Sequence, residues 1–288
     1  MQSQPFIGIL GGSGIYHIPS LTDVREVRVN TPFGNPSDSI RIGKMHGRDV
    51  AFLARHGRHH TLAPSEIPHR ANIYALKKLG VRWLVSLSAV GSLKEHLKPG
   101  HFVVPLQFFD RTKARLEHSF FGNGIVAHVS FGDPVCPRLA AILYQSAQTV
   151  GATVHWGGTY VNMEGPAFST RAESEFHRSL GFDVIGMTNL AEARLAREAE
   201  VSYASLSMVT DYDCWHKEEQ EVSVTQVQKT LAHNSELANR TLNHLVTHIP
   251  LHEKTPCHSS LANAIQTPRE YWPKERIEEL RPILAPYL

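Results

Sequence analysis

The stretch Phe6-Ile7-Gly8-Ile9-Leu10-Gly11-Gly12-Ser13-Gly14 carries a short apolar run straight into a cluster of glycines. That pattern predicts a buried strand feeding a tight loop. Such a loop can bring backbone N–H groups close to an anion. Outward from it, residues 38–44 and 48–54 alternate around His46-Gly47, a hairpin signal, and the second strand runs into Arg55-His56-Gly57. Apolar residues recur at helical spacing over Ile67 to Leu79, and Gly80 follows as a stop. Strands are expected over Trp83 to Val90, Val154 to Val161, Val184 to Met187 and Tyr203 to Val209. Helices are expected over Leu139 to Val150 and Asn189 to Ala199. Two further helices open at the capping boxes Thr170-x-x-Glu173 and Ser223-x-x-Gln226, the second reaching toward Val246. Alternating strands and helices with one early hairpin imply an α/β domain on a mixed sheet. One domain is expected over 1–288, with an irregular tail from about residue 251 that ends in a short helix.

Composition narrows the function classes. Hydrophobic residues make up 42% and charged residues 19%, so the chain has an ordinary globular profile. A net charge of +2, with both signs interspersed, leaves no basic stripe for a nucleic-acid backbone. No uninterrupted run of roughly 18 apolar residues suggests a membrane span. The start, MQSQPFIGIL, lacks the basic and apolar regions of a secretory signal. Cys136, Cys214 and Cys257 are far apart and never form a C-x-x-C pair. That usage argues against a disulfide framework and for a reducing, cytoplasmic setting.

Several strand ends carry residues suited to an anion. The glycine loop itself fits neither phosphate template: His17 stands where G-x-G-x-x-G needs its third glycine, and no P-loop lysine follows. Arg55 offers a planar fork matched to phosphate oxygens, and His56 beside it can add a donor. Serines close the Trp83 strand, and Met187-Thr188 closes another. Ligands of open α/β sheets bind beyond the carboxyl ends of strands, so Ser13, Arg55, Ser88 and Thr188 could line one pocket. His59, His60 and His69 crowd together without a nearby carboxylate or cysteine at ligand spacing, so no metal is expected. Asp211 and Asp213 follow an apolar strand and, two residues apart, project to one face. Two close carboxylates resist simultaneous ionisation, so one can keep a proton and donate while the other accepts. Adenine asks for that pair of roles, through its 6-amino group and N7. A solvated turn is the plainer reading of the same residues.

Taken together, Gly11-Gly12-Ser13-Gly14, Asn30-Thr31-Pro32-Phe33-Gly34, Ala54-Arg55-His56-Gly57-Arg58, Met163-Glu164-Gly165-Pro166-Ala167-Phe168-Ser169 and Thr210-Asp211-Tyr212-Asp213-Cys214-Trp215 form an ordered set. It resembles the 5′-methylthioadenosine phosphorylases, of the trimeric purine nucleoside phosphorylase family, from about Ile7 to Pro250. The resemblance implies a three-layer α/β/α phosphorylase fold with a mixed central sheet, and a homotrimer. It implies phosphorolysis of methylthioadenosine, a pentosyl transfer serving methionine and purine salvage, with inorganic phosphate as co-substrate and no cofactor. By position it assigns phosphate to Ser13, Arg55, His56, Ser88, Thr188 and the backbone at Ala89, and the ribose to Met187. It assigns the base to Phe168, Ser169, Asp211 and Asp213, with the two aspartates as catalytic groups. The 5′ group falls to His60, Val224 and Val227, with His128 reaching in from a neighbouring subunit. Relatives acting on 6-oxopurine nucleosides such as methylthioinosine typically carry glutamate at the Ser169 position and asparagine at the Asp211 position. That alternative substrate class is therefore disfavoured. Ser13 and Ser88 stand where threonine is common in the family, and Gly186 and Asn189 also depart from its pattern.

Overall fold

The computed structural model describes residues 6–113, 118–216 and 224–288, with the side chains of 224–229 excepted. Strand β1 (Ile7–Gly11) is buried along its whole length and has parallel neighbours on both sides, β4 (Arg48–Ala54) and β5 (Trp83–Ser92). A strand covered on both faces needs apolar residues at every position rather than alternate ones. The Phe6–Leu10 run has that pattern. Ile7 and Ile9 join one core cluster with α2 (Pro137–Thr149) and α5 (Val224–His248). Leu10 joins the opposite cluster with α1 (His69–Lys78) and α4 (Asn189–Glu198). The result is a helix layer on either side of a mixed sheet. Among the described residues the sheet has eleven strands.

Local signals account for the frame. β3 (Ile40–Met45) turns into β4 through His46 and Gly47, both at positive φ (+49° and +77°), as a two-residue hairpin turn matched to strand twist requires. Helix α3 (Arg171–Ser179) opens on the expected capping box: the Glu173 N–H donates to Thr170 Oγ1, and the Thr170 N–H donates to Glu173 Oε2. The single strand expected over Val154 to Val161 is instead two. β8 (Val154–Trp156) pairs with β6 (Phe102–Val104), β9 (Thr159–Met163) pairs with β7 (Gln107–Arg111) and β10 (Val184–Gly186), and Gly157-Gly158 breaks the run between them. Short β6 and β7 lacked a legible signal, as did the exposed β2 (Thr22–Val27). The capping residue Ser223 lies outside the described residues. The tail is not a loose appendage. It forms α6 (Lys274–Glu279) and α7 (Arg281–Leu284), and Trp272, Leu280, Ile283 and Leu284 enter the α1/α4 core.

Four parallel strands and one antiparallel strand set up the site. β1, β4 and β5 run together with β11 (Ser202–Asp211), which pairs along nearly all of β5, so their carboxyl ends open on the same side. β10 meets the far end of β5 head to tail, with Ile185 opposite Gly91. That direction carries Met187 and Thr188 back toward Ser88.

Candidate active site

A cavity of about 770 Å³ opens at these strand ends. Its size falls in the range of small-molecule sites, about 300–1,000 Å³. Ser13 and Gly14 reach it from the glycine loop, Arg55, His56 and His60 from beyond β4, and Ser88 to Gly91 from β5. Met187 and Thr188 line it after β10, as do Asp211, the last residue of β11, and Asp213 just beyond it. Residues spread over 200 positions of sequence thus share one wall because parallel strands end together.

Arg55 forms part of the cavity wall. Arg55 is 1% exposed and its guanidinium is held on three sides: Nε donates to Glu192, Nη1 to the Leu87 carbonyl at 3.1 Å, and Nη2 to the Ser86 hydroxyl. The second Glu192 oxygen accepts from the Tyr203 hydroxyl at 2.9 Å. Ser88 Oγ is buried and makes no hydrogen bond to the described residues. His56 Nδ1 lies 2.8 Å from the Leu62 carbonyl, which can only accept, so this nitrogen carries the proton. Burial and the adjacent Arg55 charge depress the His56 pKa to about 4. At neutral pH the ring is therefore neutral with Nε2 bare, and it offers an acceptor rather than the extra donor expected from sequence. The His60 ring stacks on His56, with centroids 4.3 Å apart, and its Nδ1 meets the Tyr16 hydroxyl at 2.9 Å.

The aspartate pair lines the same cavity. Asp211 Oδ1 accepts the Asp213 N–H at 2.8 Å, and its Oδ2 accepts the Thr210 hydroxyl at 2.7 Å. Asp213 is 8% exposed, its Oδ2 makes no hydrogen bond to the described residues, and burial pushes its carboxyl above the usual range. Its backbone sits at φ +52°, as does that of His60, a left-handed conformation that costs a non-glycine residue energy and concentrates at functional sites. The bland turn reading fails on burial, since a solvated turn would expose both carboxylates.

Not every expected residue reaches the cavity. Phe168 lines it while remaining 48% exposed, but Ser169 does not. The Ser169 hydroxyl faces Met163 Sδ at 3.9 Å, and its carbonyl accepts the Cys214 thiol at 3.3 Å. His128 is exposed and away from its own chain's cavity, with its N–H bonded to the Ala264 carbonyl. The side chains of Val224 and Val227 lie outside the described residues. One turn further along α5, Leu231, Ala232 and Ser235 do line the cavity. Tyr16, Met163 and Glu192 were missed from sequence. Glu192 had a signal: it stands four residues after Thr188, on the same helix face, amid alanines. Among the described residues no group of three or more His, Cys, Asp or Glu side chains could hold a metal ion, and no helix is long and apolar enough to cross a membrane.

Comparison with known proteins places this geometry. Residues 6–247 match the family model described as "Phosphorylase superfamily". The S-methyl-5′-thioadenosine phosphorylase of Koribacter versatilis (strain Ellin345) is 53% identical over 284 residues, covering 99% of this chain and 97% of that protein. Its counterpart from Geobacter sulfurreducens is 51% identical, covering 98% and 99%. These alignments span nearly the whole chain, so likeness to the relatives does not fade after Pro250 as expected, although the family model stops at 247. Among solved structures, a methylthioadenosine phosphorylase sourced from an antarctic soil metagenomic library superposes with a TM-score of 0.93 at 48% identity, covering 98% of this chain and 100% of that one. The Schistosoma mansoni methylthioadenosine phosphorylase in complex with adenine has a TM-score of 0.83 at 36% identity, covering 90% and 96%. With near-complete coverage at about half identity and a matching fold, the chain belongs to the phosphorylase superfamily, within its methylthioadenosine phosphorylase family.

Proposed function

We propose that this protein cleaves 5′-methylthioadenosine with inorganic phosphate, releasing adenine and 5-methylthioribose 1-phosphate, a pentosyl transfer that serves purine and methionine salvage. The observation that carries the reading is that one cavity is lined both by the buried Arg55 with its hydroxyl neighbours and by the buried pair Asp211 and Asp213. Arg55, Ser13, Ser88 and Thr188 supply donors for a phosphate, with the backbone at Ala89 beside them. The bare Nε2 of His56 suits hydrogen phosphate, which presents a P–OH. Met187 lies against the ribose.

The reaction needs placement and electrostatics more than covalent help. A phosphate oxygen bonds to the anomeric carbon as its bond to N9 breaks, and the electron pair passes into the purine. Asp211 and Asp213 share a proton because two adjacent buried carboxyls do not both ionise readily. That proton goes to N7, and the remaining carboxylate accepts from the 6-amino group. Phe168 covers the base, while His60, Val224 and Val227 are assigned to the methylthio end. Ser169, next in sequence to Phe168, remains assigned to the edge of the base. No metal or organic cofactor enters these steps.

We assign His128 to a neighbour's site in a homotrimer: it is exposed and does not line its own cavity, while Phe168, which does, is 48% exposed. The three unpaired cysteines favour the cytoplasm. Incubating the purified protein with methylthioadenosine, adenosine or inosine, with and without phosphate, tests the whole reading. Adenine release is expected from methylthioadenosine only when phosphate is present. Equal cleavage without phosphate, or a preference for inosine, overturns it.

A further inference from the structure

Glu192 has no place in the chemistry above, yet it is one of the most deeply buried charges in the protein, at 1% exposed. Its geometry differs from that of a simple counter-ion. Arginine and a carboxylate left to themselves favour a two-pronged contact through parallel N–H groups. Here Glu192 takes only Nε of Arg55 and gives its other oxygen to the Tyr203 hydroxyl. Burial and the neighbouring carboxylate keep the Tyr203 phenol protonated, so it remains a donor. Ser86 and the Leu87 carbonyl then each take one N–H from the two Nη atoms. Of the five guanidinium N–H groups, one on each Nη stays uncommitted to the described residues, and Arg55 lines the cavity.

Topology adds a second argument. Glu192 lies four residues beyond Thr188, so helix α4 brings a cavity hydroxyl and the Arg55 anchor on one face. Tyr203 is the second residue of β11, the strand that ends in Asp211. A buried ion pair is by itself weak evidence of stabilisation, since apolar residues often serve as well. Its presence under a polar cavity is better explained by the orientation it imposes.

We propose that Glu192, tethered by Tyr203, is a positioning residue that aims the free Nη edge of Arg55 at phosphate and thereby sets phosphate affinity. This rests on the reading of Arg55 as a phosphate ligand. Steady-state kinetics of Glu192→Gln, varying phosphate and methylthioadenosine separately, tests it. The glutamine keeps the shape and loses the charge. Losing a partner that orients a metal ligand costs about 10- to 100-fold; by the same logic the phosphate KM should rise by about 10- to 100-fold while the methylthioadenosine KM stays within about twofold. A phosphate KM unchanged in a folded variant, or equal rises in both KM values, overturns the proposal. Should that variant fail to fold, Tyr203→Phe carries the test, because it keeps the ion pair and removes one tether. Its phosphate KM should rise about two- to tenfold, the worth of one hydrogen bond, and no change overturns the proposal. Absence of phosphate dependence in the unaltered protein would instead refute the phosphorylase reading itself, so the two failures are distinguishable.

Discussion

Replacing Asp211 by asparagine changes one atom and should change the enzyme's choice of base. In the native site both Asp211 oxygens accept, from the Asp213 N–H at 2.8 Å and the Thr210 hydroxyl at 2.7 Å. The amide of Asp211→Asn can keep its oxygen on the Asp213 N–H. Its NH₂ then faces Thr210, whose hydroxyl can rotate to accept while donating to the Val90 carbonyl, now 3.2 Å away. The local fold therefore survives, and what is lost is the charged, proton-sharing partner of the adenine. A hydrogen bond to a charged group contributes about 1.5–3 kcal/mol, which corresponds to about a 10- to 150-fold fall in kcat/KM for methylthioadenosine. Activity on inosine relative to methylthioadenosine should rise, because an amide NH₂ can donate to a 6-oxo group. Following free base spectrophotometrically for both nucleosides at saturating phosphate measures this. A kcat/KM for methylthioadenosine within threefold of the parent would refute the role given to Asp211.

Other consequences are equally direct. A Cβ at Gly12 would lie 2.4 Å from the Leu87 carbonyl oxygen and 2.6 Å from Arg55 Nη1, so Gly12→Ala should cost about 1–3 kcal/mol of stability and raise the phosphate KM. An unchanged melt would mean the loop yields more easily than its packing implies. For Asp213→Asn the signs oppose: at neutral pH a carboxyl pushed up by burial disfavours the folded state, so the neutral amide should hold or raise Tm while turnover falls. A Tm several degrees lower would contradict that. Stability should also fall on mild acidification. His56, His69 and His258 have pKa values held at about 4, about 3 and about 4 in the fold against 6.5 outside it, chiefly by burial. Unfolding therefore takes up protons as pH drops below 6.5. Glu198, pushed up to about 7, works in the opposite sense and offsets roughly one histidine. Between pH 6.5 and 5 these four groups together remove on the order of 3 kcal/mol, and a melting temperature that stays flat over that interval would refute it. Finally, excess EDTA should leave the rate unchanged, and inhibition restored by a divalent cation would reinstate a metal.

Much of this protein is legible in its sequence. The fully apolar Phe6–Leu10 run, the His46-Gly47 turn and the Thr170–Glu173 capping box are local signals, written in consecutive residues and obeyed by the structure. Strand ends bearing Ser13, Arg55, Ser88, Thr188 and Asp211 were readable for the same reason, because the end of an apolar run marks where a chain leaves the sheet. Short strands β6 and β7 were not, since three to five residues carry too little periodicity, and the break at Gly157-Gly158 hid inside a run that looked continuous. Sequence alone thus determined the fold class and the chemical types gathered at the strand ends. Only the tertiary structure decided how each group acts. It turned His56 into an acceptor by pinning Nδ1 to the Leu62 carbonyl, and it turned the Ser169 hydroxyl toward Met163. It also brought Glu192 from 137 residues away to hold Arg55. Protonation and aim depend on burial and on partners distant in sequence, and neither is present until the chain has packed.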